Sequence, residues 1–237
     1  THVVIVCGPT ASGKTDLSVA LAVELGAEIV GADSRQVYRH MNIGTAKPSA
    51  EQQRLVRHHL LDIVDPDEAF DVADWRACAL HALADIGARG RVAIVCGGTG
   101  LYLRSLLHGL FAGPPADPAL RRSLEADEGR APGTLHARLA AVDPASAARI
   151  HPNDTLRLVR ALEVYERSGE PLSAWHERHR LAERLFEALV IEVVRPPDEL
   201  RARIDTRAQA MVEAGILDEV QRLGATHDLE SKAFSAI

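Results

Sequence analysis

The sequence predicts an α/β fold: a parallel-sheet core carrying a phosphate-binding P-loop, interrupted by a helical insertion domain. Three observations carry this. The apolar run Val3-Val4-Ile5-Val6-Cys7 leads into Gly8-Pro9-Thr10-Ala11-Ser12-Gly13-Lys14-Thr15 and then into a helical pattern, the strand–loop–helix context that a P-loop needs. Two more strand–helix units follow, and β–α units in series imply a parallel sheet. At Gly113-Pro114-Pro115-Ala116-Asp117-Pro118 the alternation stops, the text is helical to about residue 183, and strand texture returns from Leu185 to Val194. The expected boundaries are 1–112 with 186–237 for the core and 113–185 for the insert.

Each element has its own signal. Gly8 and Gly13 let successive backbone N–H groups turn inward, and the following helix adds the partial positive charge of its N-terminus, so the loop is a nest for an anion. Lys14 would reach terminal phosphates and the Thr15 hydroxyl would sit on a bound Mg2+, which implies a di- or triphosphate ligand. The helix through Leu17, Val19, Ala20, Leu21, Val23 and Leu25 stops at Gly26. Glu28 to Ala32 reads as a second strand ending at Asp33-Ser34-Arg35-Gln36. Reactive groups in an open α/β sheet collect at the carboxyl ends of strands, which places Asp33 beside the P-loop; a capping Asp is the alternative. Ser49 caps a short helix, and Asp71 caps a longer one through Trp75 and Ile86. His58 and His59 are adjacent, a spacing that makes no metal pair in either a strand or a helix, and read as ordinary polar positions. Val92 to Cys96 is a third strand, followed by Gly97-Gly98-Thr99-Gly100 and a helix from Leu101 to Leu107. This strand lacks the Asp that closes a Walker-B strand, which weakens an ordinary NTPase reading. Thr99 either offers its hydroxyl to a phosphate or caps the next helix. In the insert Asp117, Asp143 and Asn153 are candidate caps, Pro144 suits a first turn and Gly169 a stop. Pro196-Pro197 opens a last helix, from Asp198 to Ala214.

The 237 residues allow a core and an insert, and no apolar run approaches the ~18 residues of a membrane span. A cytoplasmic, monomeric protein is expected. The cysteines Cys7, Cys78 and Cys96 show no paired spacing, so neither disulfide nor zinc is expected. A net charge of −6 argues only weakly against a polyanionic partner, because arginines far outnumber lysines and a local basic channel is compatible with it. Arg157 and Arg160 lie three apart on one helix, Arg203 and Arg207 four apart on another; each pair shares a face and suits phosphate, unless Glu163 and Asp205 merely neutralise it.

Taken together, these motifs resemble the tRNA dimethylallyltransferases, also called isopentenyl-tRNA transferases. The matching words are Gly8 to Thr15, Ala-Asp-Ser-Arg-Gln-Val-Tyr at 32–38, Gly-Thr-Ala-Lys-Pro at 44–48, Gly-Gly-Thr-Gly-Leu-Tyr at 97–102, His-Pro-Asn-Asp at 151–154, and Arg157 to Glu163. The resemblance implies transfer of a dimethylallyl group from dimethylallyl diphosphate to N6 of the adenosine 3′ of the tRNA anticodon. The P-loop, through Gly8, Thr10, Ala11, Ser12, Gly13, Lys14 and Thr15, would then hold a diphosphate ester rather than ATP, with Mg2+ on Thr15. Asp33 matches the family's general base, Thr99 the threonine near the leaving oxygen and Arg207 an arginine on the pyrophosphate. Ser34, Arg35, Gln36, Arg157 and Arg160 fall in its tRNA-contacting segments, and Arg121 is a weaker match of the same kind. Family members are expected to continue beyond Ile237, with helices and RNA contacts missing from this chain. The rivals are an adenylate isopentenyltransferase acting on free AMP or ADP, a small-molecule P-loop kinase and a non-catalytic nucleotide-binding module.

Overall fold

Near-continuous apolar runs rich in β-branched residues build β1 (Val3–Cys7), β2 (Glu28–Gly31), β4 (Ala93–Gly97) and β5 (Ala188–Glu192), which with the short edge strand β3 (His58–His59) form a five-stranded, all-parallel sheet. The order across the sheet is β3-β2-β4-β1-β5. This computed structural model describes residues 2–110, 113–179 and 187–234. The chain divides into two units, Thr1–His108 with Arg184–Ile237, and Gly109–Glu183.

In the first unit the period of two sorts side chains onto two faces. Val3, Ile5, Val30, Ala93 and Val95 pack with Trp75 and Ile86 of α3 (Val72–Ala88) and Leu106 of α4 (Gly100–His108). Val6, Ile29 and Ile94 pack with Val19 and Ala22 of α1 (Lys14–Leu25) on the other side. Trp75 is fully buried; its indole N–H donates to Gly31 O at 2.9 Å and its ring stacks on Tyr102 with centroids 4.4 Å apart. Such a stack adds roughly 0.5–1.5 kcal/mol to the burial of the rings, and here it ties α3 and α4 to the end of β2.

The helix starts follow their caps. Ser49 and Asp71 form capping boxes on α2 (Ala50–Leu55) and α3. The last helices of the unit are α10 (Pro197–Glu213) and α11 (Ile216–Gly224), with a 3-10 turn at Lys232–Phe234. Neither β3 nor α11 is among the expected elements, although Ile216, Val220 and Leu223 give α11 a helical apolar spacing. Two residues are too few for a periodicity, and β3 exists because Ile29 and Val30 offer it an edge. Its His59 bonds Glu28 Oε2 at 2.7 Å, so His59 is a partner of a buried carboxylate rather than an ordinary polar position. β5 ends at Glu192, before the expected end at Val194; Leu185 and Phe186, where the expected run begins, lie outside the described residues.

The elements of the second unit are all helices among its described residues: α5 (Pro118–Arg130), α6 (Thr134–Val142), α7 (Pro144–Ala147), α8 (Thr155–Ser168) and α9 (Leu172–His179). Leu124, Leu135, Leu139, Leu158 and Leu162 form its core. Asp117 and Asp143 cap α5 and α7, and Gly169 ends α8 with a positive φ of 71°. The cap of α8 is Asp154, not Asn153, its Oδ1 accepting from the Arg157 amide at 3.2 Å.

Candidate active site

The sheet order places the carboxyl ends of β2, β4, β1 and β5 side by side, and each carries part of the site. β1 runs into the P-loop. Gly8 has φ 151° there, and a Cβ on it would come within 2.7 Å of Val193 O, so only glycine lets the loop leave β1 against the strand next to it. Gly13 precedes α1 and gives no side-chain cap, leaving the first-turn amides for an anion. Lys14 Nζ donates to Pro9 O at 3.1 Å. The Thr15 hydroxyl has no protein partner among the described residues.

β4, the strand between β1 and β2, ends in Gly97-Gly98-Thr99. A Cβ on Gly97 would lie 2.0 Å from Ala32 O, so the glycine is what lets the ends of β4 and β2 meet. Thr99 closes that contact: its amide donates to Ala32 O at 3.2 Å and its Oγ1 accepts from Ser34 N at 3.1 Å. Thr99 is thereby held one residue from Asp33. Asp33 Oδ1 accepts from the amides of Arg35 at 2.8 Å and Gln36 at 3.4 Å, so the capping alternative describes one of its oxygens. Its Oδ2 has no protein partner among the described residues.

Arg35 Nη1 donates to Ala233 O at 3.3 Å, and Gln36 Nε2 to Thr45 O and Ala46 O at 3.2 and 2.9 Å. The turn after β2 is thus fastened to the loop that carries the word at 44–48. That loop is organised from α11: the buried carboxylate of Glu219 accepts from the amides of Asn42, Ile43 and Gly44 at 2.9–3.0 Å. Lys47, almost fully buried, bonds Tyr38 O and Asp62 Oδ1 at 2.5 Å.

From the β5 side three arginines approach the P-loop. Arg207 Nη1 donates to Thr10 Oγ1 at 3.2 Å, Arg203 Nε to Ala11 O at 2.7 Å, and Arg195 Nε to Ser12 O at 3.1 Å. Burial lowers the Arg207 pKa from its ordinary value, with the Asp33 charge acting in the other direction. Arg203, Arg207 and Thr206 share with Ala11, Gly13, Lys14 and Thr15 the wall of a cavity of about 400 Å³. The pairing of Arg203 with Arg207 is legible as helix spacing. Arg195 is not, because it stands alone before Pro196; its signal is only its place just past the strand that borders β1.

The remaining candidates belong to the second unit. Arg121 and Arg160 converge on the buried Glu163, through contacts of 2.8 Å from Arg121 Nε and Nη2 and 2.5 Å from Arg160 Nη1, and the Asp117 amide adds a fourth donor at 2.7 Å. Burial pushes the Glu163 pKa up, but these donors outweigh it and hold it at about 2. The neutralising role of Glu163 therefore applies to Arg160. Arg157 points elsewhere: its side chain is 74% exposed and pairs only with its own cap, Asp154, among the described residues.

Among the described residues no three His, Cys, Asp or Glu side chains are grouped to hold a metal, and no helix is long and apolar enough to cross a membrane. A phosphate-borne Mg2+ asks for less, one or two protein oxygens beside phosphate and water, and the Thr15 hydroxyl on the cavity wall meets that need.

Residues 36–237 match the family model for IPP transferase. The chain is 54% identical over 225 residues to the tRNA dimethylallyltransferase of Anaeromyxobacter dehalogenans (strain 2CP-C), covering 94% of this chain and 75% of that protein. It is 50% identical over 240 residues to the tRNA dimethylallyltransferase of Geobacter metallireducens, covering 100% and 77%. Among solved structures it resembles the full-length tRNA isopentenylpyrophosphate transferase of Bacillus halodurans, with a TM-score of 0.68, 39% identity and coverage of 99% and 74%. It also resembles a eukaryotic dimethylallyltransferase acting on tRNA, with a TM-score of 0.81, 28% identity and coverage of 100% and 61%. With the family model spanning most of the chain and relatives at half identity along its length, the chain belongs to the IPP transferase family.

Proposed function

We propose that this chain is a tRNA dimethylallyltransferase that moves the dimethylallyl group of dimethylallyl diphosphate onto N6 of the adenosine 3′ of the anticodon. The observation that carries the reading is the row along the sheet edge. A carboxylate with an uncommitted oxygen stands at the end of β2, a hydroxyl at the end of β4, and an anion nest ringed by arginines at the end of β1. That is the order a displacement at an allylic carbon needs, with the nucleophile's base at one end and the leaving group's cradle at the other.

In this reading the diphosphate lies in the P-loop cavity, on the free amides before and at the start of α1 and on Lys14. The allylic C–O bond breaks and its electron pair stays on pyrophosphate, while the adenosine N6 lone pair forms the new C–N bond. Donors aimed where that charge develops stabilise the transition state more than the ground state. Arg207 and Lys14 supply positive charge. The Thr99 oxygen accepts from the Ser34 amide, which leaves its own proton available for the leaving oxygen. The N6 lone pair is delocalised into the ring, so a base must take the proton as bonding proceeds, and Asp33 Oδ2 does so. Mg2+, held through Thr15, would neutralise charge on the pyrophosphate.

The base must leave its stack to reach this edge. Ser34, Arg35 and Gln36 are proposed to contact the tRNA beside Asp33. Arg157, the most open arginine of its helix, is proposed to meet a backbone phosphate, with Arg121 and Arg160 forming a surface stiffened by Glu163.

The test is direct. Incubation with dimethylallyl diphosphate and Mg2+ should make an anticodon stem-loop heavier by one dimethylallyl group, leave AMP unmodified and release pyrophosphate. Prenylated AMP would move the reading to the free-nucleotide transferases, and ATP hydrolysis would move it to a kinase or ATPase.

A further inference from the structure

Of the three arginines around the P-loop, Arg195 is the one that does not reach the cavity wall among the described residues. Its Nε instead donates to Ser12 O at 3.1 Å, while Nη1 is anchored on Glu199 Oε1 at 3.0 Å. A trans peptide is planar, so its C=O and the next N–H point in opposite directions. Holding Ser12 O from the β5 side therefore aims the Gly13 amide away from Arg195, toward the nest. Arg203 holds the preceding peptide through Ala11 O, and the Ser12 amide of that peptide donates to Pro9 O at 3.3 Å within the loop. Ala11 has φ 60°, a left-handed conformation that a non-glycine residue adopts at a cost of about 1 kcal/mol, so the loop needs restraint from outside to keep this shape.

We propose that Arg195 is a positioning residue for the transfer reaction: by bonding the back of the P-loop at Ser12 it fixes the direction of the Gly13 amide that receives the diphosphate. The role rests on the diphosphate reading above. Arg195 touches neither substrate. It makes affinity for the leaving group depend on the segment after β5, through a bond whose partner is a carbonyl and not a phosphate. Its guanidinium fork matters as much as its charge, since one nitrogen must meet Ser12 while another stays on Glu199.

The experiment uses the whole chain and four variants, Arg195→Ala, Arg195→Lys, Glu199→Gln and Lys14→Ala. Affinity for inorganic pyrophosphate with Mg2+ is measured by calorimetry, KM for dimethylallyl diphosphate and for an anticodon stem-loop by steady-state transfer, and Tm by thermal melting. Losing one charge-assisted hydrogen bond should weaken pyrophosphate binding and raise KM for dimethylallyl diphosphate about 10-fold in Arg195→Ala, with KM for the stem-loop changed less than about twofold. Arg195→Lys should recover part of the loss. If Arg195→Ala lowers Tm so far that it cannot be assayed, Glu199→Gln, which removes the charge opposite Nη1 and leaves an amide oxygen there, should show the same split at about twofold to threefold. Lys14→Ala separates the two levels of the argument. If it abolishes pyrophosphate binding while Arg195→Ala and Glu199→Gln leave it intact, the positioning role is wrong and the diphosphate reading stands. If Lys14→Ala itself binds pyrophosphate normally, the diphosphate reading fails and the role of Arg195 fails with it.

Discussion

Asp33 combines two tasks on two oxygens, and the choice of substitution decides which one is tested. Alanine removes the acceptor for the Arg35 and Gln36 amides together with the proposed base; asparagine keeps an oxygen for the amides and removes only the base. Asp33→Asn should therefore slow the chemical step by roughly 10²–10⁴-fold, with little change in tRNA affinity or Tm. Single-turnover transfer at saturating diphosphate reads this, and a near-normal rate would place the base elsewhere. Arg207 and Arg157 should part in a similar way. Arg207 sits on Thr10 at the cavity, so Arg207→Ala should raise KM for dimethylallyl diphosphate, whereas Arg157→Ala should weaken the stem-loop and lower the slope of log affinity against log salt by about one unit. Matching kinetic profiles for the two variants would contradict this division.

Elements whose cause is local were readable in the sequence, and those made by distant partners were not. Ser49, Asp71, Asp117 and Asp143 cap their own helices through amides two or three residues on, and the P-loop carries its strand, its glycines and its helix in one stretch. β3 depends on an edge some thirty positions away, about the span from Glu28 to His59. The word at 44–48 was legible as a motif, but what shapes it is Glu219 on α11, in sequence 175–177 residues away. Three amides on one buried carboxylate make this clasp the main tie between α11 and the loop. Glu219→Gln can satisfy at most part of it and should cost about 1–3 kcal/mol in chemical denaturation, along with faster amide exchange at 42–44. Unchanged exchange there would show that the loop holds its shape without α11. The same logic explains why Asp33 and Thr99 are each legible as the end of a strand while the Ser34–Thr99 bond is not: their meeting requires that β4 lie next to β2.

At the scale of the molecule, each unit carries, among the described residues, a buried glutamate held by arginines. Glu28 accepts from Arg89 and Arg91 as well as His59, and Arg89 chiefly, against the opposing effect of burial, brings its pKa from 4.5 to about 2. Glu163 is lowered to about 2 in the other unit. Both are depressed in the folded state, so their stabilisation is complete above about pH 4.5 and is lost as pH falls toward about 2. Each should contribute on the order of 2–3 kcal/mol near neutrality. Urea midpoints measured near pH 7 and near pH 3 should differ clearly in the unaltered chain, and the gap should shrink in Glu28→Gln and in Glu163→Gln. An unchanged gap would mean that these carboxylates titrate normally.

The three arginines on the P-loop have a consequence for the order in which the protein is made. The nest at residues 8–15 leaves the ribosome well before residues 188–207, yet the strand bordering β1 and the side chains that hold Thr10, Ala11 and Ser12 come from that later stretch. A nascent chain that has emerged only through α4 has the strand, the loop and the helix of a phosphate site, with β4 beside β1, but neither β5 nor any of the three arginines. Translation-arrested chains of increasing length should gain pyrophosphate binding in a single late step, when residue 207 clears the exit tunnel, so that the earliest motif in the sequence is among the latest to become functional.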